Sequence, residues 1–297
     1  MIFLYHEIVD GRHRGVSISR AAFERQVAWL ARNRRVVPLA EYLHRDPADV
    51  DAARLVSVTF DDGFRSTYFN ALPFLQKEKI PATFFVTAHH VLTRGLLWFA
   101  YLNAVCYGGG YASIEVEGSK FPLGSPADQR SARRQVGAAA RASGNPVSFS
   151  RELERRYPLS EDVAARFEGM RPEEVRALAE TELFEVGSHT LTHPFLSLLS
   201  EEKQQREIRD SRTALSELCG REIRYFAYPA GDYDKTSLAI VRQAGYRAAL
   251  ATTPRGLGSE PRFEVGRVGI YAPSLLKVRL KAAGLVALAR SAGIRVG

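Results

Sequence analysis

The chain has 297 residues, 45% hydrophobic and 25% charged. This suits a soluble globular protein with one α/β domain of about 250 residues plus insertions, or two smaller domains. Forty-one lysines and arginines against thirty-three acids give +8, but that charge carries no interleaved aromatic platform and no recognised binding motif, so nucleic acid is disfavoured as a partner.

In chain order, MIFLYHEIV has only four apolar residues before Tyr5 and His6, without the basic leader and long apolar core of a signal peptide. No later run approaches the roughly eighteen apolar residues of a membrane span, and the expectation is a cytoplasmic protein. IFLY reads as a strand, and Ala21 to Asn33 as a helix with Phe23, Val27 and Leu30 on one stripe. LVSVTF is a second strand, followed by a helix around Ala71 to Lys79 in which Pro73 is tolerable only near the first turn. ATFFV, LFEVG, IRYFAY and YRAALAT continue as short, almost wholly apolar runs. Strands covered on both faces have this composition, and their alternation with helices predicts parallel βαβ construction.

Residues from about 95 to 178 break the rhythm with GGG, GSPADQ and SGNP, and read as a partly helical insertion in a single domain spanning 1–297. Cys106 and Cys219 are far apart without CxxC spacing and read as buried thiols. From Val265 onward six basic residues (Arg267, Lys277, Arg279, Lys281, Arg290 and Arg295) meet no acid. The tail at about 274–297 is either a packed helix with a solvated basic face or an amphipathic helix that contacts anionic lipid at the inner face of a membrane.

Three strand ends carry the chemistry. LVSVTFDDGF places Asp61 and Asp62 side by side. Asp62-Gly63 is also a hairpin signal, but FRSTYFNALPFLQKEK looks helical, leaving the pair in a loop at a strand's carboxyl end, where parallel α/β folds gather their functional groups. Adjacent carboxylates repel unless a proton or cation offsets them, which makes a divalent metal a natural third party. LFEVGSHTLTHP ends another strand with His189 and His193, spaced like paired zinc histidines although the glutamate of HExxH is missing. Pro194 disfavours helical geometry at His193, so a loop or single turn is expected. One aspartate and two histidines with open positions suit a catalytic metal site. IRYFAYPAGDYD is again a strand, followed by a Pro-Ala-Gly turn.

In that order, TFDDG, SHTLTH and FAYPAG resemble the first three motifs of the polysaccharide deacetylases, the nodulation-factor deacetylase homology group, and LYHEIVD and KIPATFFV look like the same family. The resemblance implies a distorted (β/α) barrel of about seven strands and metal-dependent hydrolysis of an N-acetyl group on an amino sugar. It assigns Asp62, His189 and His193 to the metal, usually zinc, and Asp61 to the general base that deprotonates the attacking water. The N–H of Ala230, after Pro229, becomes an oxyanion donor, with Tyr228 and Pro229 on the substrate side.

Two departures stand out. Ala227 occupies the position where many members carry arginine, leaving Arg224 or Arg267 to orient Asp61. The late histidine that serves as general acid is absent, since His6, His13, His44, His89, His90, His189 and His193 all lie at or before the second motif. His6, at the end of the first strand, is the candidate acid; otherwise it is a rim histidine bonded to backbone. Trp98, Phe99 and Tyr101 in the insertion are either a stacking platform for a sugar, with Trp98 foremost, or core. Without a leader, a lipid-linked or nucleotide-linked amino sugar, or a small acylated metabolite, is favoured over a cell-wall polymer. The alternatives are an amidase acting on a non-sugar amide or cyclic imide, and a non-catalytic carbohydrate-binding relative.

Overall fold

The structure, a computed structural model, describes residues 1–10 and 17–284. Its centre is a parallel sheet of β1 (Ile2–Tyr5), β2 (Leu55–Phe60), β3 (Ala82–Val86), β4 (Phe184–Ser188), β5 (Tyr225–Ala227), β6 (Ala248–Ala251), β7 (Val265–Gly266) and β8 (Val268–Gly269). The order is β7-β6-β5-β4-β3-β2-β1-β8, with Arg35–Val36 also pairing with β2. The two edge strands are separated in the chain by Arg267 alone. Val265 pairs with Leu250, while Val268 pairs with Phe3, so one extended segment spans both edges and nearly closes a (β/α) barrel. The path has eight strands instead of seven because the last is broken in two at Arg267.

Every residue of β1, β2, β3 and β6 is buried, as two-sided coverage demands. Alternate positions divide between two cores. Phe3, Tyr5, Val58, Phe60, Phe84, Val86, Val186 and Phe226 join one cluster with helix residues such as Phe23 and Leu75, in which Phe60 stacks on Phe84 at 4.8 Å. Ile2, Phe85, Tyr225, Ala227 and Leu250 form another with Leu39. Gly187 lets the strands approach closely, since a Cβ there would lie 2.5 Å from the Phe85 ring and 3.1 Å from the Tyr225 carbonyl oxygen.

Helix α1 (Arg20–Asn33) begins where expected, with Ser19 as its N-cap. Helix α2 is Arg65–Lys77 and carries Pro73 in its interior rather than its first turn. Pro73 is exposed, so water can satisfy the carbonyl its missing N–H abandons. The insertion contains α3 (Trp98–Tyr107), an antiparallel hairpin of Ser113–Val116 and Ser119–Pro122, and helices Pro126–Ala142 and Pro146–Arg156. It has a core of its own around Trp98, Leu102, Val105 and Leu153. In the tail, helix Leu275–Ala282 packs on α1, with Val278 buried, Arg34 donating to the Ala282 carbonyl and Arg279 over the Trp29 ring. Residues 285–297 of the expected tail helix, like His13, lie outside the described residues. Among the described residues no helix is long and apolar enough to cross a membrane.

Candidate active site

Asp61 follows Ser57 and Thr59 in strand parity, and its backbone N–H donates to the Tyr5 carbonyl. Asp62 and Gly63 then turn the chain with φ of 77° and 85°. A left-handed aspartate costs about 1–2 kcal/mol and brings a second carboxylate to the same rim. Thr190, His193 and Ala230 also have positive φ, at 67°, 61° and 53°. Non-glycine residues held in this region concentrate at functional sites, and here they fall in all three motif loops.

The loop between the two histidines is held from several sides. The Glu207 carboxylate accepts from the N–H groups of Leu191 and Thr192 at 3.0 and 2.9 Å and from the Thr192 hydroxyl at 2.6 Å. Glu207 lies on a π-helical segment, Arg206–Asp210, a distortion frequent at functional sites. Thr190 accepts from the His193 N–H, and Trp98 donates its indole N–H to the His193 carbonyl at 2.9 Å. Ser197 donates twice to Asp232, tying this loop to the one after β5.

These supports bring Asp62, His189 and His193 together, one donor atom from each lying within 4.8 Å of the others. Asp62 Oδ1 is 3.3 Å from His193 Nε2 and 3.6 Å from His189 Nε2. Two ligands bonded tetrahedrally to one zinc at about 2.05 Å are about 3.3 Å apart, so the spacing suits a shared cation. Both Asp62 oxygens are buried without a hydrogen-bond partner among the described residues, an arrangement costing several kcal/mol unless a cation offsets it. Burial pushes the Asp62 carboxyl upward, but the imidazoles of His193, His6 and His189 outweigh it and hold the group below the usual carboxylate range. His189 Nδ1 lies 2.7 Å from the Ala227 carbonyl; a carbonyl accepts only from N–H, so Nδ1 carries the proton and the Nε2 lone pair is presented to the site. Burial drives His189 down to about 4 despite the nearby carboxylate of Asp61, keeping it neutral and able to coordinate. The three residues can therefore hold a divalent cation.

Beside them, Arg267 grips Asp61 through two bonds, Nη1 to Oδ1 at 2.6 Å and Nη2 to Oδ2 at 2.7 Å, and lies over the Phe85 ring at 5.3 Å. Burial raises the Asp61 pKa, and the opposing effects of Arg267 and His189 bring it below the ordinary value. Of the two arginines considered for orienting Asp61, Arg224 does not reach it. Arg224 precedes β5, at the amino end of the parallel strands, and pairs with Glu185 at 2.6 Å.

His6 lies at the site, its ring 5.5 Å from that of Tyr271 and its Nδ1 buried without a partner among the described residues. Burial lowers its pKa against the pull of Asp62 and Asp61. Ala230 is exposed on a single turn, Pro229–Gly231, and its N–H has no acceptor among the described residues. Pro229 is buried. Tyr228 does not present its side chain to a substrate: it is buried, stacks on Tyr233 at 4.3 Å and donates to the Phe263 carbonyl. Trp98 is likewise no platform. It is 8% exposed, part of the insertion's core, and supports His193 through its indole N–H. Tyr101 is buried too, whereas Phe99 packs its ring on His193 at 4.8 Å.

Sequence reasoning missed Glu207, which sits in EEKQQREIRD and reads there as one more acid on a solvated helix. It also missed Tyr271, 46% exposed beside His6, because VGRVG gives no strand signal from which to place it at the rim.

A nearly closed parallel barrel with its polar cluster at the strands' carboxyl ends places the chain among (β/α)-barrel proteins with rim-borne sites. The family model described as polysaccharide deacetylase matches residues 49–249, and the chain belongs to that family. The poly-beta-1,6-N-acetyl-D-glucosamine N-deacetylase of Staphylococcus aureus (strain MSSA476) is 34% identical over 90 residues, which are 30% of this chain and 31% of that protein. The match thus spans about a third of that relative's length. Among solved structures, IcaB from Ammonifex degensii superposes with a TM-score of 0.60 at 23% identity, covering 95% of each chain. The Streptococcus pyogenes deacetylase PplD in complex with acetate superposes at 0.59 with 17% identity, covering 93% of this chain and 95% of its own. Both likenesses show the fold.

Proposed function

We propose that the protein is a metal-dependent N-deacetylase that hydrolyses the N-acetyl group of an amino sugar in a glycan or glycan precursor. The observation that carries this reading is the buried Asp62 carboxylate, without a hydrogen-bond partner among the described residues, facing two imidazoles next to an aspartate locked by Arg267. Family membership and the named activity of the Staphylococcus aureus relative support the substrate class.

A divalent cation held by Asp62, His189 and His193, zinc by the character of the donors, would supply Lewis acidity toward the acyl oxygen and lower the pKa of water. Asp61 takes the proton of the attacking water, kept ionised and aimed by the two Arg267 bonds. The Ala230 N–H donates to the oxygen that becomes negative as the carbonyl is attacked. The proton that Asp61 takes from water must reach the departing amine, and His6, a neutral imidazole at the start, is the group that relays it there.

Acetate release by the cation-supplemented protein tests the proposal across N-acetylglucosamine oligomers, lipid-linked and nucleotide-linked N-acetylated sugars, and simple amides. Release from at least one sugar class is expected. Release from non-sugar amides alone would replace the proposal with an amidase.

A further inference from the structure

Between the barrel rim and helix α3 lies a cavity of about 620 Å³, within the range of small-ligand sites. Glu7, Asp10 and Asn70 line it, together with the half-buried Phe99 and Phe167. It adjoins the site just described, since Glu7 directly follows His6 and Phe99 is the ring that packs on His193. Flat apolar faces beside hydrogen-bonding carboxylates and amides suit a pyranose, which has C–H faces and a polar edge.

The unusual member is Glu7. It is 8% exposed and among the described residues takes one hydrogen bond, from the Ser66 hydroxyl at 3.2 Å. It enters no ion pair among the described residues, although a withdrawn carboxylate is costly without a partner. Among the described residues Arg166 also borders the cavity and forms no ion pair with Glu7. Burial, with the charge of Asp62 adding to it, pushes the Glu7 carboxyl up to about 7.

Resting on the deacetylase reading, we infer that this cavity is a subsite for a neighbouring amino-sugar unit whose amine is already free, with Glu7 as the counter-charge to its ammonium group. Each deacetylation produces such an amine. A chain that advances by one unit then delivers its own product to Glu7, so partly deacetylated substrate is held better than fully acetylated substrate.

Calorimetry on the cation-loaded Asp61→Asn protein tests this with four ligands: a fully acetylated N-acetylglucosamine trisaccharide, the two isomers with one terminal free amine, and an analogue with a hydroxyl in place of that amine. One amine isomer should bind about tenfold tighter than the acetylated sugar, the value of one charge-assisted hydrogen bond. The hydroxyl analogue should not share the gain. Adding Glu7→Gln should erase it while leaving the acetylated affinity within about twofold. Equal binding of all four ligands, an equal gain from the hydroxyl analogue, or a gain that survives Glu7→Gln would each overturn the inference. The ligand comparison decides the matter even if Glu7→Gln does not fold. Acetate release by the wild type without amine preference would defeat this inference alone, whereas no release and no binding of any sugar would defeat the deacetylase reading as well.

Discussion

Replacing Arg267 with methionine removes a guanidinium whose side chain has no exposure and whose two short bonds hold Asp61, itself only 3% exposed. What remains is a carboxylate withdrawn from water without its main counter-charge. Breaking a buried pair from one side costs about 3–5 kcal/mol, which lowers Tm by roughly 5–15 °C in a chain of this size. In an Asp61→Asn background the stranded charge is gone and the same substitution should cost far less, giving a coupling of about 2–3 kcal/mol. Urea denaturation of the wild type, both single variants and the double variant, all stripped of metal, measures that coupling. The pH–rate profile gives a second reading. In the wild type the lowered Asp61 pKa keeps the base ionised down to acid pH; without Arg267 burial dominates, the pKa rises and the acidic limb moves to higher pH, with kcat falling about a hundredfold or more. A coupling below about 0.5 kcal/mol with an unmoved acidic limb would refute the assignment of Arg267 as the group that positions and ionises Asp61.

Asp61→Asn should abolish turnover and retain the bound cation, and a metal-loaded, fully active variant would remove Asp61 as the base. Glu207→Gln should weaken metal binding about 10–100-fold, the usual effect of disturbing groups that orient ligands; a chelator competition assay reads this, and unchanged affinity would reduce Glu207 to a structural tie. For the metal-stripped protein, burial drives His189 and His90 down to about 4 from an ordinary value near 6.5. Between those values the unfolded chain binds the protons, so stability should fall as pH drops from about 6.5 to 4, by up to about 3 kcal/mol for each group. Glu7, raised to about 7, contributes with the opposite sign over the same window, so urea midpoints at pH 7, 5.5 and 4.5 in a Glu7→Gln background check the sign, and a rise toward acid there would contradict it.

The metal-type triad was legible because Asp62 and His189 sit one or two residues beyond near-continuous apolar runs, which in a parallel barrel share one rim, and His193 follows His189 by four residues in the same loop. The same polarity separates the two arginines. Arg224 precedes its strand and must lie at the amino end, whereas Arg267 lies in a segment, VGRVG, too short and glycine-rich to announce a strand. Pro73 obscured the start of α2, because an exposed proline inside a helix cannot be told from one in the first turn by composition. Trp98, left open between a sugar platform and core, and Tyr228, expected on the substrate side, could not be placed for another reason. Their aromatic character fits a sugar platform and a core equally well, and tertiary packing of the insertion and of the β5 loop decided for the core. Glu207 and Glu7 depend on contacts across the chain and leave no local signature.

The account stands on one cation shared by Asp62, His189 and His193. Titration of metal-stripped protein with zinc against a chromophoric chelator, repeated for Asp62→Ala, His189→Ala and His193→Ala, tests it most directly. One equivalent should bind the wild type tightly, and each variant should lose that affinity while its circular dichroism stays native. Undiminished binding in folded variants would place the cation elsewhere and contradict the account.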